Sequence, residues 1–181
     1  MMINIDATYQ EVAGFHGHSC PGLAMGFRMT KAALRVLLGS RSKDEELVAI
    51  VENDACGTDA VQYLSGCTFG KGNLIFKNYG KMVYTFYCRN SKKAIRISRK
   101  TDFKQKLNEK NLNQEEKIAI ILRTPAEELF NINTVNIKPP AYARLFNSIK
   151  CEFCGEMVME TRIRKRNGKN ACIPCSLRLK Q

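Results

Sequence analysis

Residues 15–29 read FHGHSCPGLAMGFRM, and the change of pattern within this stretch sets the architecture of the N-terminal region. Glycine and proline interrupt the first half, so residues 15–22 are predicted to form an irregular loop. The second half belongs to a run of Ala, Met and Leu that favours a long helix from Leu23 to Leu38. A short amphipathic helix is expected before the loop, over residues 1–14. The sequence therefore predicts two helices joined by a loop that is rich in metal-binding side chains.

That loop contains both histidines of the chain, His16 and His18, together with Cys20. In an extended segment alternate side chains share a face, so three residues at positions i, i+2 and i+4 can converge on one point. Imidazole and thiolate suit Zn, Ni, Co or Fe, so the residue types indicate a metal without selecting it. Cys20 also precedes the predicted helix, whose N-terminal dipole favours a thiolate. Spacing alone leaves open the alternative of two structural histidines and a buried thiol.

A second informative stretch begins with Leu47–Val51, a short apolar, β-prone run that predicts a strand. Residues 52–74 follow and read ENDACGTDAVQYLSGCTFGKGNL. Thr58 or Asp59 can cap a helix here, because Ser, Thr, Asp and Asn are the preferred residues at that position. Asp54 and Asp59 flank Cys56 and are candidate metal ligands, hydrogen-bond partners of a metal-binding histidine or helix caps. For Asp59 we favour the cap or the hydrogen-bond partner.

Two cysteines and one lysine near this predicted helix are further candidate site residues. Cys56 and Cys67 each lie in a loop that follows a core element, and such loops are where functional sites tend to be assembled. Lys71 lies in GCTFGKGN, which lacks the GxxxxGK[ST] spacing of a Walker motif. We hypothesise that Lys71 and the nearby glycines contact an anion, such as the pyrophosphate of a pterin cofactor.

The middle of the chain predicts more strands and then more helices. Turn signals separate three β-prone runs, which favours a meander of three strands at Asn73–Lys77, Met82–Cys88 and Ala94–Ser98. Helical periodicity returns at Asn113–Leu122, and a further helix is expected to start at Thr124-Pro125. A last strand is expected at Thr134–Lys138, before two prolines.

The last part of the chain carries two C-x2-C pairs separated by seventeen residues: Cys151 with Cys154, and Cys172 with Cys175. Four thiolates in a tetrahedron leave no open position, which is typical of a structural zinc site. The intervening segment contains Asn167-Gly168, a strong signal for a β-hairpin turn. We therefore predict a zinc ribbon over residues 149–181, after a larger domain over residues 1–148. Zinc binding and folding of so small a module are expected to be one event.

The formal net charge of +12 is concentrated in residues 89–110, with a net +7, and residues 150–181, with a net +5. A basic surface can attract nucleic acid, an anionic cofactor or an acidic protein, and a merely solvated face explains it equally well. No apolar run approaches the length of a membrane helix, and the N-terminus has no signal-peptide pattern. We expect a cytoplasmic protein without membrane association, whose eight cysteines are reduced thiols.

The two quoted motifs and the C-terminal cysteine pairs resemble, over essentially the whole chain, the FmdE family, which comprises the E subunits of formylmethanofuran dehydrogenase and their relatives. The resemblance implies an α+β domain with a mixed or antiparallel sheet and flanking helices, forming a homodimer. It implies metal ligands at His16, His18, Cys20 and Cys56, with Cys67 nearby, and zinc as the expected ion, with nickel or iron as alternatives. Members of the family are found with the tungsten- or molybdenum-containing enzyme that reduces CO2 onto methanofuran, although many occur in organisms without that pathway.

Three functions agree with these features. The first is a metal-binding accessory or subunit-like protein, with components of a molybdenum or tungsten formylmethanofuran dehydrogenase as partners. The second is an independent metalloenzyme with an open His/Cys site, for which Glu52, Asp54 and Asp59 are candidate bases by proximity only. The third is a nucleic-acid-binding regulator, although the chain lacks the aromatic-interleaved surface of single-strand binders. We favour the first, and the sequence leaves open whether the protein is an enzyme.

Overall fold

The computed structural model describes residues 7–37, 45–109 and 111–179, apart from the side chains of residues 104, 106, 108 and 109. The chain divides into two compact units, Met1–Tyr142 and Ala143–Gln181. The second unit thus begins at Ala143, ahead of the boundary predicted after residue 148, and its first strand starts at Ser148. Within the described residues, no helix is both long enough and apolar enough to cross a membrane.

The first unit is built on a five-stranded mixed sheet with the strand order β2-β1-β3-β4-β5. The α+β fold with a mixed sheet and flanking helices is thus confirmed. Strands β1 and β2 are parallel, and the other neighbouring pairs are antiparallel. The strands are β1 (Leu47–Val51), β2 (Leu74–Phe76), β3 (Val83–Cys88), β4 (Lys93–Arg99) and β5 (Phe130–Val135).

Two details of the predicted sheet are wrong. The meander runs through β3, β4 and β5, whereas β2 pairs with β1 on the far side of the sheet. A helix crosses over between β1 and β2, and this is the connection that two parallel strands require. The last strand begins at Phe130 instead of Thr134, directly after a one-turn helix, so that Arg99 of β4 pairs with Phe130.

The helices of the first unit are α1 (Tyr9–His16), α2 (Pro21–Val36), α3 (Gly57–Ser65), α4 (Thr101–Glu109), α5 (Gln114–Arg123) and α6 (Ala126–Leu129). Helix α1 continues past Gly14 to His16, and a capping box between Thr8 and Glu11 fixes its start. Helix α2 begins at Pro21, because a proline is tolerated at the first helical position. The predicted loop is therefore reduced to residues 17–20. Residues 1–6 of the first predicted helix, and Leu38 of the second, lie outside the described residues.

The main core lies between α2 and one face of the sheet. Leu23 and Met29 of α2 are fully buried, as are Tyr84, Phe86 and Ile97 of the sheet. Burying a side chain of this size stabilises the fold by roughly 1.5–3 kcal/mol. A smaller buried cluster, formed by Val48, Tyr87 and Ala94, consists of the alternate residues of the same strands.

The second unit consists of two short hairpins and a helix. Strands β6 (Ser148–Lys150) and β7 (Met157–Met159) form the first hairpin, and β8 (Arg164–Arg166) and β9 (Lys169–Ala171) form the second. The second hairpin turns at Asn167 and Gly168, which have φ values of 50° and 77°. Both residues lie in the left-handed region, as the turn favoured by an Asn-Gly pair requires. Helix α7 (Ile173–Arg178) closes the unit.

Candidate metal centre

His16, His18, Cys20 and Cys56 come together in the first unit. Each offers one nitrogen or sulfur atom, and these four atoms all lie within 4.8 Å of one another. The histidine rings lie side by side, with centroids 4.4 Å apart. Three of the residues belong to the end of α1 and the short connection to α2, whereas Cys56 stands at the start of α3.

A carboxylate orients the imidazole of His16. The Nδ1 atom of His16 lies 2.6 Å from the Oδ2 atom of Asp59, in the first turn of α3. The Nε2 atom is buried and has no hydrogen-bond partner among the described residues. Buried polar atoms nearly always have a partner, and a metal-binding histidine commonly bonds a carboxylate through its other nitrogen. The unpartnered Nε2 is therefore placed as a metal-binding nitrogen would be.

Each of the two cysteines of the group is the N-cap residue of a helix, Cys20 with an extended backbone and Cys56 with a helical one. The backbone N–H of Leu23 donates to the sulfur of Cys20 over 3.4 Å, and Cys56 precedes Gly57 of α3. Both cysteines therefore stand at the N-terminal, positive end of a helix dipole. Burial and then the neighbouring Cys20 thiol raise the pKa of Cys56. Two thiols this close do not ionise independently, and a bound cation would relieve their repulsion.

Close packing of α2 on α3 brings the two cysteines together. A β-carbon at Gly26 would fall within 2.7 Å of the Cα, carbonyl carbon and carbonyl oxygen of Gly57. Only glycine fits at such a helix crossing. A β-carbon at Gly22 would in turn lie 3.7 Å from the Cβ of Cys56 and 3.9 Å from the sulfur of Cys20. The glycines therefore set the distance between the helix starts that carry Cys20 and Cys56.

A tyrosine holds the connection between α1 and α2. The hydroxyl of Tyr9 donates to the carbonyl oxygen of Cys20 over 3.2 Å and lies 2.9 Å from the hydroxyl of Ser19. Its ring packs edge-on against Phe27, with centroids 5.6 Å apart. The connection is thus anchored to the core immediately beside Cys20.

Cys67 does not join the group. Its side chain is fully buried, and its sulfur donates to the carbonyl oxygen of Leu47 over 3.3 Å. Burial raises the pKa of this thiol to about 11, so it stays protonated at neutral pH. The inclusion of Cys67 among the metal-binding residues is thus not supported by its placement, which is that of a core residue.

The remaining candidates are not among the four residues whose ligand atoms come together. Lys71 is partly buried in the turn after α3, where its backbone N–H donates to the hydroxyl of Thr68. Asp54 is exposed. Glu52 is buried and lies 3.5 Å from Arg96. Of the three acids named by proximity, Asp59 alone contacts a residue of the group, and it does so as the partner of His16.

The second unit holds a group of four cysteines: Cys151, Cys154, Cys172 and Cys175. Their sulfurs also lie within 4.8 Å of one another. The backbone N–H of Cys172 donates to the sulfur of Cys151 over 3.3 Å. This bond, with the N–H of Cys154, lowers the pKa of Cys151 to about 6. Gly155 follows the first pair with a φ of 82°, which closes that turn in a conformation that favours glycine.

Further charge compensation lies on the C-terminal side of this group. The backbone N–H of Cys175 donates to the sulfur of Cys172 over 3.4 Å. The guanidinium of Arg178 donates to the sulfur of Cys175 over 3.3 Å. Donors around clustered sulfurs spread the negative charge of a site with four thiolates, which is the arrangement of a structural zinc.

The match to known families covers both units. The profile of the family described as "FmdE, Molybdenum formylmethanofuran dehydrogenase operon" matches residues 15–131. The chain belongs to the FmdE family. The family region contains all four residues of the N-terminal group, so the resemblance implied by the motifs is confirmed. Residues 144–179 match the prokaryotic dksA/traR C4-type zinc finger, which contains the four cysteines of the second unit.

Two known proteins are similar over most of the chain. A probable S-adenosyl-L-methionine-binding protein from Archaeoglobus fulgidus is 33% identical over 90% of this chain. The chain spans about half of that relative, 50% of its length. The crystal structure of a tungsten formylmethanofuran dehydrogenase FmdE-like protein from Syntrophus aciditrophicus has a TM-score of 0.72 and 22% identity. The alignment covers 97% of this chain and 96% of that one, so the two share a fold.

The sequence predicted the four candidate ligands, but it did not predict how the helices that carry them pack together. The contact between Gly26 and Gly57 could be suspected only from a glycine inside a strong helix pattern. The bonds of Tyr9 to Ser19 and Cys20 carry no sequence signal, because a tyrosine on an amphipathic helix is most often a core residue.

Proposed function

We propose that this protein is a metal-binding accessory protein that holds a transition metal at His16, His18, Cys20 and Cys56, in addition to the zinc of its C-terminal finger. The observation that carries the proposal is the buried Nε2 atom of His16. It lacks a partner among the described residues, yet it belongs to a set of four ligand atoms within 4.8 Å. Leaving a buried acceptor or donor unpaired costs about 1–3 kcal/mol, and a metal removes that cost.

The ligand set favours zinc. Two imidazoles and two thiolates form one of the common tetrahedral zinc arrangements, and two thiolates balance the charge of a divalent ion. Zinc bound in this way supplies a fixed cross-link and no redox chemistry. Four protein ligands also leave no open position for water, which supports an accessory role over that of an independent metalloenzyme.

The partners that we propose follow from the family. The FmdE description refers to the molybdenum formylmethanofuran dehydrogenase operon, and the similar crystal structure is of an FmdE-like protein named after the tungsten enzyme. We therefore propose that this protein acts as a homodimer and with other components of a molybdenum- or tungsten-containing enzyme. Co-purification of those components with a tagged chain, followed by mass spectrometry, tests the association.

Metal content of the full-length protein, purified without oxygen and measured by mass spectrometry, tests the site itself. We expect one metal ion for each of the two ligand groups. Cys56→Ser should remove the N-terminal ion only, and Cys172→Ser the ion of the finger only. Cys88→Ser is the matched control, because Cys88 belongs to neither group. A wild-type protein that binds metal only at the finger, and whose metal content Cys56→Ser leaves unchanged, would refute the N-terminal site.

Cobalt substitution distinguishes the two sites by their ligands. Co2+ bound to two thiolates and two imidazoles gives a visible spectrum different from that of Co2+ bound to four thiolates. The Cys172→Ser spectrum should therefore report the mixed site alone. A pure four-thiolate spectrum from wild-type protein would exclude His16 and His18 as ligands.

A further inference from the structure

A cavity of about 260 Å³ lies within the first unit, beside the start of α2. The end of β4, the helices α4 and α5, and Met82 before β3 form its other walls. No residue of the metal-binding group lines it. It is therefore a separate site, and it goes beyond the function proposed above.

Most of the cavity wall is apolar. Met25 reaches it from α2, Phe103 and Leu107 from α4, and Ile121 from α5. Methionine and aromatic side chains adapt to the shape of a bound apolar group and are common in ligand pockets. A volume near 260 Å³ is slightly below the usual range of about 300–1,000 Å³ for ligand pockets, so it suits a short chain or a single ring.

Two cations interrupt this apolar wall. Arg99, the last residue of β4, and Lys117, in α5, both line the cavity and are both partly buried. Neither side chain has an ion-pair or hydrogen-bond partner within the part of the chain whose side chains the structure describes. Burial lowers the pKa of Arg99, because the guanidinium is partly removed from water. An anionic group bound in this cavity would pair with two cations that are already partly removed from water.

We propose that this cavity binds a small organic carboxylate, with its carboxylate on Arg99 and Lys117 and its apolar body against Met25, Phe103, Leu107 and Ile121. The planar guanidinium matches a carboxylate through two parallel hydrogen bonds, whereas a lysine adds a point charge. The apolar wall excludes a bare inorganic anion as the full occupant, because such an ion would leave the Met25 side of the cavity unfilled.

The cavity and the metal-binding group share a wall. Pro21 and Gly22 line the cavity, and they follow Cys20 directly in the sequence. Gly22 also packs against Cys20 and Cys56, as its closest side-chain neighbours show. Met82, which also lines the cavity, accepts a hydrogen bond through its sulfur from the hydroxyl of Tyr84 over 3.6 Å. A ligand in the cavity therefore contacts residues that position the metal-binding cysteines.

Methionine methyl resonances provide a direct test on the full-length protein. The chain has seven methionines, of which Met25 and Met82 line the cavity. The probe is hexanoate, titrated into protein that carries 13C-labelled methionine methyl groups. We expect the signals of Met25 and Met82 to shift with saturation, and those of Met157 and Met159, which are exposed on the finger, to stay in place.

Matched ligands and variants separate the charge from the apolar contact. Hexan-1-ol has the same alkyl chain as hexanoate without the charge, and acetate has the carboxylate without the longer chain. Both should bind at least about tenfold more weakly than hexanoate. Arg99→Gln should weaken hexanoate about tenfold or more, since a hydrogen bond to a charged group is lost. Lys93→Gln, an exposed lysine on the same strand, should leave the affinity unchanged.

Three results would overturn the proposal: Met25 and Met82 signals that do not respond to hexanoate, hexan-1-ol that binds as tightly as hexanoate, or an unchanged affinity of Arg99→Gln. Metal content measured on the same samples keeps this result separate from the fate of the metal site. If the protein lacks the N-terminal metal but still binds hexanoate through Arg99, the cavity proposal is supported and only the metal proposal is refuted.

Discussion

Replacement of Gly26 by alanine should disable the N-terminal metal site without touching a ligand. The new methyl group would fall within 2.7 Å of three backbone atoms of Gly57, whereas uncharged atoms pack best at about 3.5–4.0 Å. Helices α2 and α3 must therefore move apart by about 1 Å or more. Overpacking of this kind costs about 1–3 kcal/mol, and the higher helix propensity of alanine returns up to about 1 kcal/mol. We expect a net loss of about 1–2 kcal/mol, which lowers the melting temperature by roughly 2–8 °C.

The metal site should suffer more than the fold. Cys20 and Cys56 begin the two helices that separate, and metal sites tolerate errors of only about 0.2 Å in ligand distance. Metal content and thermal unfolding of Gly26→Ala should show one metal ion fewer than the wild type and the lowered melting temperature. Gly14→Ala is the control, because a β-carbon there meets nothing within 4 Å. Full metal content in Gly26→Ala, with an unchanged melting temperature, would refute the role of the glycine contact.

Three further predictions follow from the ligand environments. Asp59→Asn weakens the hold on the His16 imidazole and should lower metal affinity about 10–100-fold in competition with a chelator, whereas Asp54→Asn, an exposed neighbour, should not. Cys67→Ala should retain the full metal content, and its free energy of unfolding should fall by about 1 kcal/mol because the substitution leaves a small gap at a buried position. Loss of metal from this variant would indicate that Cys67 is a ligand after all. Removal of metal by a chelator should unfold residues 144–179 alone. The amide NMR signals of that segment should lose their chemical-shift dispersion, while those of residues 15–131 stay dispersed. Dispersed signals from the metal-free finger would contradict this prediction.

The sequence predicted what depends on local chemistry. The C-x2-C pairs, the Asn-Gly turn and the strand at Leu47–Val51 were found because each is encoded by a few neighbouring residues. The grouping of His16, His18 and Cys20 followed from spacing in the same way. Cys56 was a candidate from its loop position, but its grouping with these three residues came from the resemblance, since no spacing rule connects it to a loop thirty-six positions away.

Features that depend on the three-dimensional path were missed. The pairing of β2 with β1 follows from the crossover of α3. The β-propensity of a segment does not indicate which other strand it will pair with. Cys67 and Cys56 look alike in sequence, each beside a glycine in a loop, and only burial separates a core thiol from a candidate ligand. The unpaired cations of the cavity were hidden for a different reason, because Arg99 and Lys117 belong to basic or mixed segments that read as solvated surface.

The placement of the four candidate ligands also bears on chain entropy. Cys20 and Cys56 are thirty-six positions apart. A cross-link that closes a loop of this length lowers the conformational entropy of the unfolded chain, which destabilises the unfolded state by about 4 kcal/mol. A metal held here would thus act as a reversible cross-link between the α1–α2 connection and the start of α3. Three of the ligands lie within residues 16–20, whereas Cys56 reaches the group only when α3 packs against α2. The affinity of the site for its ion would then be a direct readout of whether the domain has finished folding.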